Sequence, residues 1–155
     1  MNEEALYASD STELYEPGGF DGPFELKRAG RLAKFIETRT GLRVEVDDPS
    51  GFQDGSLFTR LLLFAPDGTL PGQVLLSSFG SLVTVFEMAD GALEADVAVV
   101  AGEQGYAYVD SASLQRDYDG RFGAFNGLSW LDRYFSMFYR RHAMLRRRSK
   151  RLEQT

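Results

Sequence analysis

The chain contains no cysteine. Disulfides, thiol catalysis and thiolate-bound metals are therefore excluded, although the compartment is not fixed by this alone. Histidine is nearly as scarce. His142 is the only one, so a metal centre built on two or more imidazoles cannot exist, and any Ser–His chemistry would have to use this residue. Its setting beside Arg140 and Arg141 reads as a helix surface; nearby positive charge would also make it a slightly better base. No apolar run approaches the roughly 20 residues of a membrane-spanning helix. The start, Met1-Asn2-Glu3-Glu4, has neither a basic region nor an apolar stretch after it, unlike a secretory signal. The expectation is a soluble, cytoplasmic protein without membrane contact. Nothing resembles Gly-x-Ser-x-Gly, a P-loop or Gly-x-Gly-x-x-Gly, so acyl-transfer and nucleotide sites lose their main support and no cofactor is expected.

Apolar and aromatic residues are abundant. With 43% hydrophobic residues, 12 Phe, 7 Tyr and 1 Trp among 155, the chain has the area for one sizeable core, and global disorder is excluded. The formal net charge of -6 hides a division. From Met1 to Asp132 there are 9 Lys+Arg against 22 Asp+Glu, a balance of -13; from Arg133 to Thr155 there are 8 against 1, a balance of +7. An acidic body repels phosphate and attracts basic protein surfaces, and a basic end does the opposite.

Periodicity divides the chain into residues 1–20, an acidic N-terminal arm; residues 21–139, the folded domain; and residues 140–155, a basic helical extension. The arm reads as mobile, though Leu6, Tyr7, Leu14 and Tyr15 can dock it. Pro23, the helical repeat of Leu26, Ala29, Leu32, Ala33 and Ile36, and Gly41 predict a helix over 23–40. Leu42, Val44 and Val46 alternate with charged residues, as in a strand with one wet face. Residues 57–65 read as a central strand that turns at Pro66-Asp67-Gly68 into residues 73–79. Gly80 precedes 82–86, which is either a fourth strand or the continuation of the third. A helix follows over 90–104, with Leu93, Val97, Val100 and Ala101 on one face and Gly105 beyond its end. A short strand at 106–109, a brief helix through Leu114, a glycine-rich loop and a helix starting at Ser129 complete the order. Ser129 and Asp132 have the spacing of a capping box. The fold class expected is α+β: a single domain with a mostly antiparallel sheet of four to five strands, packed by helices on one face, and a long basic C-terminal helix.

Candidate site residues fall in three groups. Asp47, Asp48 and Asp54 flank Pro49-Ser50-Gly51; such oxygens can bind a divalent cation, act as an acid/base pair, meet a basic partner or simply build a turn, and their spacing fails the EF-hand pattern. Among residues 118–130 the aromatics Phe122, Phe125 and Trp130 are expected to plug the end of the core, leaving Tyr118 and Arg121 at the surface as partner contacts. Arg140, Arg141, Arg146, Arg147, Arg148, Lys150 and Arg151 spread around a helix, which suits contact with phosphate backbones of nucleic acid or a solvated terminus.

The acidic body, the missing catalytic set and the Trp-led last helix are similar in size, charge and architecture to small bacterial immunity and antitoxin proteins. That resemblance implies a non-enzymatic module that covers a basic protein partner. The alternative is a nucleic-acid- or ribosome-associated accessory protein that binds through the basic helix. Met144, Leu145 and Leu152 on that helix also admit a homodimer, paired through another copy's acidic body.

Overall fold

The computed structural model describes residues 3–10, 22–47, 58–77, 81–121, 123–125 and 127–135. The elements run α1 (Glu3–Ala8), α2 (Gly22–Thr40), β1 (Arg43–Asp47), β2 (Phe58–Phe64), β3 (Gly72–Ser77), β4 (Leu82–Phe86), α3 (Gly91–Glu103), β5 (Ala107–Tyr108), α4 (Ser111–Leu114), a 3-10 turn at Gly123–Phe125 and α5 (Trp130–Tyr134). The fold is α+β, and the strands form one sheet in the order β1-β2-β3-β4-β5. Four of them make an antiparallel meander. The fifth returns through α3 to lie parallel to β4, so the sheet is mixed at one edge. Residues 140–155, where the basic extension was expected, lie outside the described residues.

Local chemistry explains the joints. Between β2 and β3, Ala65 and Gly68 close the turn through the Gly68 N–H to the Ala65 carbonyl at 2.9 Å. Asp67 Oδ1 accepts from the Thr69 amide at 3.0 Å and the Thr69 hydroxyl at 2.6 Å, and these bonds hold its carboxyl below the ordinary value. Asp90 caps α3 by accepting from the Leu93 amide at 2.7 Å. At the other end Gly105, at φ 84°, takes the left-handed conformation that glycine adopts without strain. Tyr106 N–H then reaches the Ala101 carbonyl at 2.9 Å and Gly105 N–H the Gly102 carbonyl at 3.1 Å, which together satisfy carbonyls the helix leaves open. The capping box at Ser129 and Asp132 is complete in both directions. β4 proves a separate strand, paired antiparallel with β3.

The sheet is covered on both faces, not one. On the first face Ala29, Leu32, Ala33 and Ile36 of α2 and Val97, Val100 and Ala101 of α3 close over Val44, Leu61, Leu63, Val74, Leu76, Val83 and Val85. On the second, Leu6 of α1, Leu114 of α4, and Trp130, Tyr134 and Phe135 gather over Leu75 and Leu82 with Tyr118 and Phe125. The strand sequences allow this: Val74-Leu75-Leu76 of β3 and Leu82-Val83-Thr84-Val85 of β4 are buried at successive positions, as in strands covered on both sides. Leu6 is fully buried, so residues 3–10 belong to the second core.

Burial has a consequence at high pH. Tyr106, 6% exposed and lying under Arg28 at 4.0 Å from its ring centroid, has its phenol pushed up to about 12 by burial. Burial raises Tyr108 as well, with help from its hydrogen bond to Glu94, and burial followed by the charge of Asp10 raises Tyr134. In the unfolded chain tyrosine ionises near pH ~10. The folded state therefore favours the neutral phenols: their contribution is intact below that pH and is lost as pH rises toward the folded values. Tyr106 alone should cost about 1.4 kcal/mol by pH ~11. Urea midpoints at neutral and alkaline pH, with tyrosinate absorbance followed in parallel, check this; equal midpoints would contradict it.

Candidate functional site

The residues singled out in the sequence are not gathered into one site. Asp47 ends edge strand β1, half-buried, and its Oδ2 accepts from Arg60, its register partner on β2, at 2.6 Å. Asp48 and Asp54 lie outside the described residues, as do His142, Arg140, Arg141, Arg146, Arg147, Arg148, Lys150 and Arg151. Tyr118 does not stand at the surface as expected. It is 3% exposed, because its ring packs on Trp130 at 4.6 Å between centroids and its hydroxyl donates to Asp10 Oδ2 at 2.7 Å. Arg121 is exposed, and its backbone amide donates to the same oxygen at 2.6 Å.

Tyr118 and Arg121 thus converge on Asp10, which no sequence pattern marked. Asp10 also accepts on Oδ1 from Arg133 Nε at 3.1 Å, and both side chains are out of solvent, at 1% and 0% exposure. Arg133 lies over the rings of Phe125 and Tyr134. Tyr134 Oη donates to the Leu6 carbonyl, Ser77 Oγ donates to the Tyr134 carbonyl at 2.8 Å, and Tyr7 Oη donates to Asp119 at 2.9 Å, a bond that raises its phenol above the ordinary value. This set fastens the N-terminal segment, the loop after α4 and α5 to the sheet. Every acceptor oxygen of Asp10 is engaged by protein donors, so the set is an internal clamp.

The surface most suited to contact is the half of the second sheet face that no described element covers. Phe58 meets Phe135 of the second core edge-on, with centroids 6.5 Å apart, and two-residue alternation puts Leu62 and Phe64 on that side of β2. Leu82 is in the same core, so Phe86 shares its side of β4. Glu45, Leu62, Gln73 and Phe86 then form one row across four strands. Phe86 is 48% exposed, and Leu70, just past the β2–β3 turn, is 41% exposed. Arg43 lies over the Phe64 ring at 4.4 Å and pairs with Glu45.

Carboxylates border this apolar strip at one end of the sheet. Asp67 is at the tip of the β2–β3 turn and Glu87 follows β4; both are exposed and have no ion-pair partner among the described residues. The Ala89 amide donates to the Pro71 carbonyl at 2.7 Å, holding the two loops together. Glu87 has φ 52°, a left-handed conformation that costs a non-glycine residue about 1–2 kcal/mol. Such outliers persist where the surroundings fix them, often at binding surfaces. Phe86 escaped the sequence reading because Leu-Val-Thr-Val-Phe is apolar on both faces of the strand.

Among the described residues, no group of three or more His, Asp or Glu side chains is placed to hold a metal ion. No helix among them is long and apolar enough to cross a membrane. No family model, curated protein or solved structure matches the chain.

Proposed function

We propose that the chain is a non-enzymatic protein-binding module, immunity-like or regulatory in kind, whose acidic surface engages a basic protein partner. The observation that carries this reading is the half of the second sheet face left clear by the described elements, where exposed Phe86 and half-buried Leu62 and Phe64 lie beside the carboxylates of Asp67 and Glu87. An apolar centre with charged groups at its border is the anatomy of a protein contact: the centre supplies affinity, and the border supplies approach rate and selectivity. The body's balance of -13 over residues 1–132 favours a partner of opposite sign.

Pull-down from the native host at low and high salt tests it. Capture should be strong at about 0.1 M salt and weak at about 1 M, where the screening length falls from about 10 Å to about 3 Å. Phe86→Ser should lower affinity on the order of 30-fold if the ring is a central anchor, and Glu87→Gln should slow association. The reading fails if no protein is recovered at either salt, or if capture ignores both substitutions while circular dichroism shows them folded.

A further inference from the structure

The outer face of the helix layer, on the opposite side of the sheet from the surface just described, holds an unexplained combination of residues. α3 is Gly-Ala-Leu-Glu-Ala-Asp-Val-Ala-Val-Val-Ala-Gly-Glu, apolar nearly all round, and such a helix is normally buried on every side. Here Val97, Val100 and Ala101 face the core, while Ala92, Ala95, Gly102 and Val99 are exposed, Val99 at 45%. Beside it, α2 turns out a stripe of Phe24, Lys27, Arg31, Lys34 and Phe35, with the two rings 52% and 48% exposed. Among the described residues, three of the six exposed large hydrophobic side chains therefore lie on this one layer.

Charge divides between the two helices. α2 carries five basic and two acidic residues, and α3 carries Glu94, Asp96 and Glu103 with no base. The balances are +3 and -3. The helices run antiparallel: Arg39 pairs with Asp96 at 3.2 Å at one end, and Arg28 donates to the Gly105 carbonyl at 3.1 Å at the other. Within the chain Arg39 takes Asp96 and Tyr108 takes Glu94, so the outward face sets Lys27, Arg31 and Lys34 of α2 beside Glu103 and the small residues of α3, and a face with cations and a carboxylate side by side is complementary to itself.

We infer that this layer is where a second copy of the chain docks, about a two-fold axis that lays α2 of each copy over α3 of the other. A two-fold axis running along the helices preserves the register that the Arg39–Asp96 and Arg28–Gly105 contacts set within one chain. Arg31 then faces Glu103 of the second copy, and Phe35 faces Val99. Ala95 and Gly102, one turn to either side of Val99 on α3, let the Phe35 ring approach closely. A groove of about 470 Å³, lined by Phe24, Lys27 and Arg31 among the described residues, lies on the α2 stripe on the Phe24 side of this Arg31–Glu103 contact. α3 is about 20 Å long at 1.5 Å per residue, and two helices at 8–10 Å spacing make the layer about as wide. That footprint suits an interface near the lower end of the usual size range. The inference is independent of the proposed partner surface, because the two lie on opposite sides of the molecule.

Sedimentation of the full chain tests it. The wild type should run at twice 17.3 kDa at about 0.1 mM, where a complex of micromolar Kd is dimeric. Arg31→Glu sets Glu against Glu103, and Glu103→Arg sets Arg against Arg31, so each variant alone should dissociate on the order of tenfold more readily. Mixed in equal amounts, the two variants restore both contacts and should regain the wild-type dimer, with circular dichroism unchanged throughout. A wild type that stays at 17.3 kDa, or a mixture no more associated than its components, overturns the inference.

Discussion

Trp130→Ala is expected to lower the unfolding free energy by about 3–5 kcal/mol, the usual loss for a large aromatic side chain truncated in a core. The indole is fully buried and is held on three sides by rings: Tyr7 edge-on at 5.1 Å, Tyr118 tilted at 4.6 Å and Tyr134 stacked at 5.7 Å between centroids. Those rings come from α1, the loop after α4 and α5, so a cavity here loosens three segments at once. The total stability of a domain is about 5–15 kcal/mol, and the loss would be a large part of it. Trp130→Phe should cost less. The indole Nε1 is buried without a hydrogen-bond partner among the described residues, and phenylalanine removes that unsatisfied donor while keeping most of the ring contacts. Urea melts followed by circular dichroism measure both variants. An unchanged midpoint for Trp130→Ala would mean that the ring is not a core element, contrary to its burial.

The elements with local signals were legible in the sequence. Pro66-Asp67-Gly68 marked the β2–β3 turn, Asp90 and Gly105 bracketed α3, and Ser129 with Asp132 started α5, because caps and turns are chemistry between neighbours in the chain. Placement across the sheet was not legible. Strands such as Leu82–Phe86 are apolar on both sides, so period-two alternation cannot say which side a helix covers, and the second core was missed. The basic character of α2 was hidden in another way: its five Lys and Arg were averaged into an acidic body, and only the helix brings Lys27, Arg31 and Lys34 onto one exposed face. Tyr118 was misread because an aromatic between two Asp residues resembles a loop tip; its burial depends on Asp10, 108 positions away.

The same long-range logic underlies the second large effect. Arg133 stands where the sequence turns basic, yet it is fully buried and paired with Asp10 across 123 residues. Two charges removed from water stabilise a fold little as a pair, since their attraction is offset by desolvation, but removing one alone is costly. Asp10→Ala takes the carboxylate from beside the Arg133 guanidinium and also strips acceptors from Tyr118 Oη and the Arg121 amide. A loss of about 3–5 kcal/mol is expected, with release of the N-terminal segment from the second core. Asp10→Asn keeps an acceptor oxygen and should lose less. Gly120 supplies an independent probe, because a Cβ there would collide with Asp10 Oδ2 and stand 2.7 Å from Tyr118 Oη, so Gly120→Ala should damage the same clamp without altering any charge. The decisive measurement is a double-mutant cycle of Asp10→Ala with Arg133→Met. If the pair acts as one unit, the double variant loses much less than the two single losses together, because no lone charge is left behind in the core. Additive losses would mean that Asp10 and Arg133 act separately, and that Asp10 holds the N-terminal segment through Tyr118 Oη and the Arg121 amide rather than through the ion pair.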